Sequence, residues 1–124
     1  MFNLNNTSRL PIYQQIQDQV LGYIACGLLQ PLQQLPGVRQ LAKDLGINPN
    51  TVMKAYTELE RDGYIYSVQG KGSYVSEPNL EQPNLKLDKI AELEKTLRSS
   101  KNYGVTQEDV IRLLYEIYPK EGKV

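Results

Sequence analysis

Residues 38–59, VRQLAKDLGINPNTVMKAYTEL, decide how this chain folds. In the first eight, Leu41, Ala42 and Leu45 recur at helical spacing, and Gly46 ends the run. Asn48 then precedes Pro49, which pairs an N-cap residue with a first-turn proline whose missing N–H costs nothing there. From Pro49 to about Arg61, Val52, Ala55, Tyr56 and Leu59 form a second apolar stripe. Ala42 is small where two helices would approach, Gly46 suits a tight turn with positive φ, and Val52 falls where the later helix packs back. This spacing predicts a helix-turn-helix over about residues 38–57.

On the C-terminal side, Asp62-Gly63 stops the helix and the period changes from helical to alternating. Tyr64–Val68 and Ser73–Ser76 are β-prone runs joined by Gln69-Gly70-Lys71-Gly72, a glycine-containing hairpin loop. On the N-terminal side, Ile12, Ile16, Val20 and Ile24 mark one face of a helix over Pro11–Cys26. Ser8 is the expected N-cap and Gly27 the left-handed stop. Leu28 to Pro36 reads as a loop, since Pro31 and Pro36 prevent helix continuation. Three helices followed by a hairpin is the order of a winged helix-turn-helix. The expected fold class is mostly α with a small β-hairpin.

The domain expectation is a winged helix-turn-helix over 1–77, a linker over 78–84 with proline at each end, and a helical segment over 85–124. In the tail, Leu87, Ile90, Leu93 and Leu97 mark one helix face, with a stop at Tyr103-Gly104. Thr106 with Asp109 reads as a capping box, and Val110, Leu113, Leu114, Ile117 and Tyr118 mark a second face that Pro119 ends. Two short helices cannot bury such stripes alone, so dimerisation through Leu87, Ile90, Leu93, Leu97, Val110, Leu113, Leu114 and Ile117 is expected.

Composition narrows the chemistry. The 124 residues suit one domain with a short appendage. With no histidine and one cysteine, zinc sites and the usual nucleophile–histidine pairs are excluded; no cofactor, metal or catalytic constellation is expected. Cys26 is expected as a small buried filler near a helix end, reduced in a cytosolic protein. The N-terminal residues lack a signal-peptide core, and no apolar run approaches membrane-spanning length. Fourteen basic and fourteen acidic residues give zero net charge, so any affinity for polyanions must be local.

That local charge exists. With the third helix's apolar stripe inward, Asn48, Asn50, Thr51, Met53 and Lys54 face outward at its start. Asn can pair with adenine, Thr can meet a base edge, and Lys can reach guanine or phosphate. Recognition helices present their first turns to the major groove. Asn48 reads equally as a plain helix cap. Arg39 opens the second helix on the same flank, and Lys43 is exposed nearby. Gly70 and Lys71 suit a wing tip, where glycine lets backbone N–H groups approach phosphate and lysine adds charge. Glu58, Glu60 and Asp62 cluster at the far end of the third helix. The expected partner is therefore double-stranded DNA, contacted through Arg39, Asn48, Asn50, Thr51, Lys54, Gly70 and Lys71.

Pro11–Ile16, Leu35–Ala42, Asn48–Val52 and Gln69–Val75, in this order, resemble the GntR family of bacterial transcription regulators over about residues 9–76. The short helical tail is similar to the YtrA-type subfamily, whose small C-terminal domain serves dimerisation. The resemblance implies a repressor of a transporter operon and of its own gene, binding a palindromic operator as a dimer in the bacterial cytoplasm. It also implies DNA contacts at Arg39, Asn48, Asn50, Thr51, Gly70 and Lys71. The sequence departs from the family pattern at Gly37, where serine is usual, at Pro31-Leu32, where Pro-Gly is usual, and at Pro49 and Met53, where many members carry arginine. Two other functions fit the residues: a winged-helix module that binds protein rather than specific DNA, and a ligand sensor. Residues 79–124 are too few to enclose a typical pocket of about 300 Å3 within one subunit, so a small-molecule effector would need a dimer-interface site.

Overall fold

The computed structural model describes residues 2–78 and 84–118. Among them run α1 (Ile12–Cys26), α2 (Val38–Leu45), α3 (Pro49–Arg61), β1 (Ile65–Val68), β2 (Gly72–Val75), α4 (Leu85–Lys101) and α5 (Gln107–Ile117). The chain forms two compact units, Met1–Lys86 and Leu87–Val124. Of the linker expected at 78–84, residues 79–83 lie outside the described residues, as does Pro119.

The core of the first unit is the meeting of the sequence stripes. Ile16 and Val20 of α1, Leu41 and Ala42 of α2, and Val52, Ala55, Tyr56 and Leu59 of α3 are buried together with Ile65 and Val75 of the hairpin. Gly46 ends α2 at φ 68°, and its N–H reaches back to the carbonyls of Ala42 and Lys43. Ile47 N–H donates to the Ala42 carbonyl, so the turn between the helices is closed by backbone bonds alone. Ala42 is 1 % exposed, which leaves α3 room to cross α2 at that point.

β1 and β2 pair antiparallel, Ile65 opposite Val75 and Val68 opposite Gly72. A third stretch of chain joins them. Leu32 N–H donates to Val75 O, Val75 N–H to Gln33 O, and Leu35 N–H to Ser73 O. Residues 32–35 thus pair along β2, in the region expected to be a plain loop. Leu29 and Leu35 anchor this segment in the core. The segment enters through a strained step. Leu32 stands at φ 67°, the one non-glycine residue with positive φ among those described. A left-handed L-residue costs about 1–2 kcal/mol, which glycine would avoid. The carbonyl of Pro36, one residue further on, accepts a 2.7 Å hydrogen bond from the Tyr56 hydroxyl of α3.

Two expectations at α1 need correction. Ser8 does not cap the helix: Pro11 occupies the N-cap position without a side-chain bond, while the Ser8 hydroxyl accepts Leu10 N–H. Cys26 is exposed rather than buried, because it lies off the Ile16–Val20 stripe. In place of a cap, α1 grips the preceding segment. The Gln15 side chain is 7 % exposed; its Oε1 accepts Asn5 N–H, and its Nε2 donates to the carbonyls of Asn5 and Leu10. One turn on, Gln19 makes the same pair of bonds to Asn3. Phe2 then meets Tyr23 edge to face.

The second unit is different in kind. Its helices follow the expected boundaries, and Thr106 with Asp109 closes the capping box on α5. The backbone and side-chain bonds to Thr106 hold the Asp109 carboxyl below its ordinary pKa. Yet neither helix has a buried residue.

Burial pushes the Tyr56 phenol well above its ordinary value, because the site favours the neutral, hydrogen-bonded form. In the unfolded chain it ionises near pH 10. The stability from the neutral phenol is therefore complete below about pH 10 and is lost as pH rises toward the folded value. Tyr56→Phe should cost about 1 kcal/mol in urea unfolding at pH 7 by leaving the Pro36 carbonyl unpaired. That difference should shrink above about pH 10. A difference that stays constant from neutral to alkaline pH would show that the phenol does not titrate against folding.

Candidate nucleic-acid interface

The reading surface follows from what α3 buries. With Val52, Ala55, Tyr56 and Leu59 in the core, Asn50, Met53, Lys54 and Thr57 are turned to solvent. Thr51, expected on the open face, is half-buried. Pro49 at the first position and Asn48 at the cap fix the start of the helix, with Asn48 Oδ1 accepting Asn50 N–H at 2.8 Å. The cap consumes this oxygen and leaves Nδ2 to donate elsewhere. Pro49 has no N–H, Asn50 N–H is taken by the cap and Thr51 N–H donates to the Asn48 carbonyl, so the backbone donors of the first turn are engaged and its side chains are what it offers outward.

Lys54 does not wave freely. Its ammonium stands 3.9 Å from the centroid of the Tyr13 ring on α1. A contact of this type is worth about 0.5–1 kcal/mol at an exposed site. It places the charge beside the first turns of α3. Tyr13 was not legible as a site residue: it is 41 positions away and lies next to, not on, the apolar stripe of its helix.

Charges divide cleanly along α3. At its far half, Glu58 accepts Gln17 Nε2 at 2.9 Å, Glu60 accepts the Ser67 hydroxyl at 2.7 Å, and Asp62 pairs with Arg61 at 3.2 Å. On α2, Asp44 accepts Gln40 Nε2 at 2.7 Å, so it is not the partner of Arg39. Among the described residues, Arg39, Lys43, Lys54 and Lys71 form no ion pair, and all four are exposed. No hydrogen bond joins these four to one another. Each is delivered by a separate element: Arg39 and Lys43 by α2, Lys54 by α3, Lys71 by the hairpin tip.

The hairpin tip is a tight turn. Lys71 N–H donates to Val68 O at 2.9 Å, with Gly70 at φ 78° between them and Gly72 at φ 118° after it. The Gln34 side chain reaches this turn and donates to the Lys71 carbonyl at 2.8 Å. Gln34 was also missed, since nothing in a stretch that reads as a loop signals a bond spanning 37 residues.

The residues expected to dimerise all lie on α4 and α5. Leu87, Ile90, Leu93, Leu97, Leu113, Leu114 and Ile117 are exposed, and Val110 is half-buried. Among the described residues, no group of side chains could hold a metal ion, and no helix is long and apolar enough to cross a membrane.

Comparison with known proteins agrees with this geometry. Residues 12–75 match the family of bacterial regulatory proteins described as the gntR family. The chain is 46% identical over 77 residues to the HTH-type transcriptional repressor YtrA of Bacillus subtilis (strain 168), a match that spans 62% of this chain and 59% of that relative. It resembles the solved structure of a GntR family transcriptional regulator from Listeria monocytogenes with a TM-score of 0.73 and 31% identity, covering 91% of this chain and 98% of that one. The DNA-binding domain of AraR in complex with operator ORX1 is similar over 60% of this chain and 92% of that one, at 32% identity and a TM-score of 0.54.

Asn48→Ala should lower the unfolding free energy by about 1 kcal/mol through loss of the cap. Asn48→Asp, which keeps the accepting oxygen and adds favourable charge at the helix start, should hold or raise it. Equal destabilisation by both variants, measured by thermal melts, would show that the cap bond contributes nothing.

Proposed function

The chain belongs to the gntR family of bacterial regulatory proteins, and from that premise we propose that it is a cytoplasmic repressor that binds a palindromic operator as a homodimer. The observation that carries the reading is the start of α3. An exposed, capped helix end presents Asn50 and Lys54 beside cations that have no acidic partner, while the acids of the same helix are engaged elsewhere. Asn48, Asn50, Thr51 and Lys54 would enter the major groove. Arg39 would meet the flanking phosphate, and Gly70 with Lys71 would meet the backbone beside the groove.

Dimerisation rests on the second unit. Its helices expose apolar faces, and among the described residues neither helix buries a side chain. Fully covering each half-exposed leucine or isoleucine is worth about 1 kcal/mol. A second copy of the same faces is the occupant that a two-fold assembly requires. Such a dimer would read half-sites about one helical turn, ~10 bp, apart. The likeness to the transcriptional repressor YtrA supports repression; the targets proposed are a transporter operon and the protein's own gene.

Fluorescence anisotropy with DNA from upstream of the protein's own gene, against scrambled competitor over a salt series, tests this reading. A preference of at least about 1,000-fold with a steep salt slope is expected. Asn50→Ala should cost about 1–3 kcal/mol on the cognate DNA and little on the scrambled duplex. Equal loss on both would remove Asn50 from base recognition. Leu114→Asp should halve the mass seen by light scattering; an unchanged mass would place the interface elsewhere.

A further inference from the structure

We infer that Gln34 is a positioning residue for DNA binding: it holds the wing tip in the geometry from which Lys71 reaches the DNA backbone. The inference rests on the proposed wing contact. Its ground is the joint placement of three chain segments. Residues 32–35 pair along β2, which sets Gln34 opposite Tyr74. From there its side chain crosses to the hairpin tip and donates Nε2–H to the Lys71 carbonyl at 2.8 Å. Within the tip itself, Lys71 N–H to Val68 O closes the turn, and glycines flank Lys71 on both sides. A loop of that composition has many conformations. One further bond, from a separate segment, fixes the peptide from which the Lys71 side chain departs.

Gly72 fits the same account. A Cβ built there would lie 3.1 Å from Gln34 Nε2, tighter than ordinary contact, and its φ of 118° already disfavours other residues. The glycine therefore keeps open the path that Gln34 takes. Side-chain chemistry narrows the choice at position 34 as well. Glutamate would set an acceptor against a carbonyl, and asparagine is one methylene short.

The segment also reaches beyond the wing. Two residues after Gln34, the Pro36 carbonyl accepts the Tyr56 hydroxyl of α3, and the next carbonyl, Gly37 O, accepts Leu41 N–H at the start of α2. Three successive contacts on one short stretch thus reference the wing tip, the reading helix and the helix that carries Arg39 to each other. Gln34 is exposed and is not part of the hydrophobic core, so packing alone gives it little to do.

The test is a double-mutant cycle on the full chain with a mixed-sequence B-form DNA duplex, read by anisotropy over a salt series. Lys71→Ala should weaken binding and flatten the salt slope by about one unit. Gln34→Met, which keeps the stem and loses the donor, should weaken binding by about 3- to 10-fold with a similar loss of slope. The double variant should be no weaker than Lys71→Ala alone. Gln34→Glu is the second variant and should weaken binding at least as much as Gln34→Met. Additive losses, or an unaffected Gln34→Met beside a weakened Lys71→Ala, would overturn the positioning role and leave the wing contact standing. No effect of Lys71→Ala would overturn the wing contact and the inference with it. A thermal melt of each variant separates a moved wing from a loosened fold.

Discussion

The bond from the Tyr56 hydroxyl to the Pro36 carbonyl ties the middle of α3 to the segment that leads into α2. Tyr56 stands in the middle of α3, with its ring in the core and its oxygen at the core's edge. An aromatic residue with a polar tip suits that place, because burial rewards the ring and the tip finds an acceptor. The acceptor belongs to the segment that has just run along β2 and is about to enter α2. α2, α3 and β2 meet at that junction, and moving it would shift α3, the hairpin and the start of α2 at once.

A chain of zero net charge can still expose cations that no carboxylate pairs with. Glu58, Glu60, Asp62 and Asp44 each accept a bond that ties α3 to α1, α3 to β1, or one residue to its helical neighbour. Among the described residues, Arg39, Lys43, Lys54 and Lys71 are without acidic partners. The acids keep their charge, and the asymmetry is one of position: Glu58, Glu60 and Asp62 gather toward the end of α3, and the surface around the unpaired cations is locally positive. The field at such a face is short-ranged, screened within about 8–10 Å at ordinary salt, so it acts on a polyanion in contact rather than at a distance.

Local chemistry was legible in the sequence; contacts between distant residues were not. The boundaries of α2 and α3, the Asn48 cap and the box on α5 follow from interactions within four residues, and all stand as read. The third chain along β2 was invisible, because Pro31 and Pro36 mark its ends as loop and its bonds are backbone bonds to residues about 40 positions on. Cys26 was misjudged because its small size suggested filler, whereas helical phase turns it outward. Tyr13 and Gln34 acquire their roles only through Lys54 and Lys71, partners that periodicity cannot supply. Leu32 is the converse case. The departure from Pro-Gly was visible in the sequence, but its positive φ was not.

The glutamines of α1 treat the chain before it as a backbone and nothing more. Gln15 takes both the N–H and the carbonyl of Asn5, and Gln19 takes both from Asn3, so each side-chain amide imitates the edge of a neighbouring strand. Such a clamp is blind to side-chain identity at the positions it grips. Residue 3 can therefore change while the path of the segment stays fixed, provided it does not become proline, which has no N–H to give; Asn5 is more constrained, because its Oδ1 also accepts the Thr7 N–H and hydroxyl. A label placed on residues 2–5 would therefore ride on α1, held there by backbone bonds and by the edge-to-face contact of Phe2 with Tyr23.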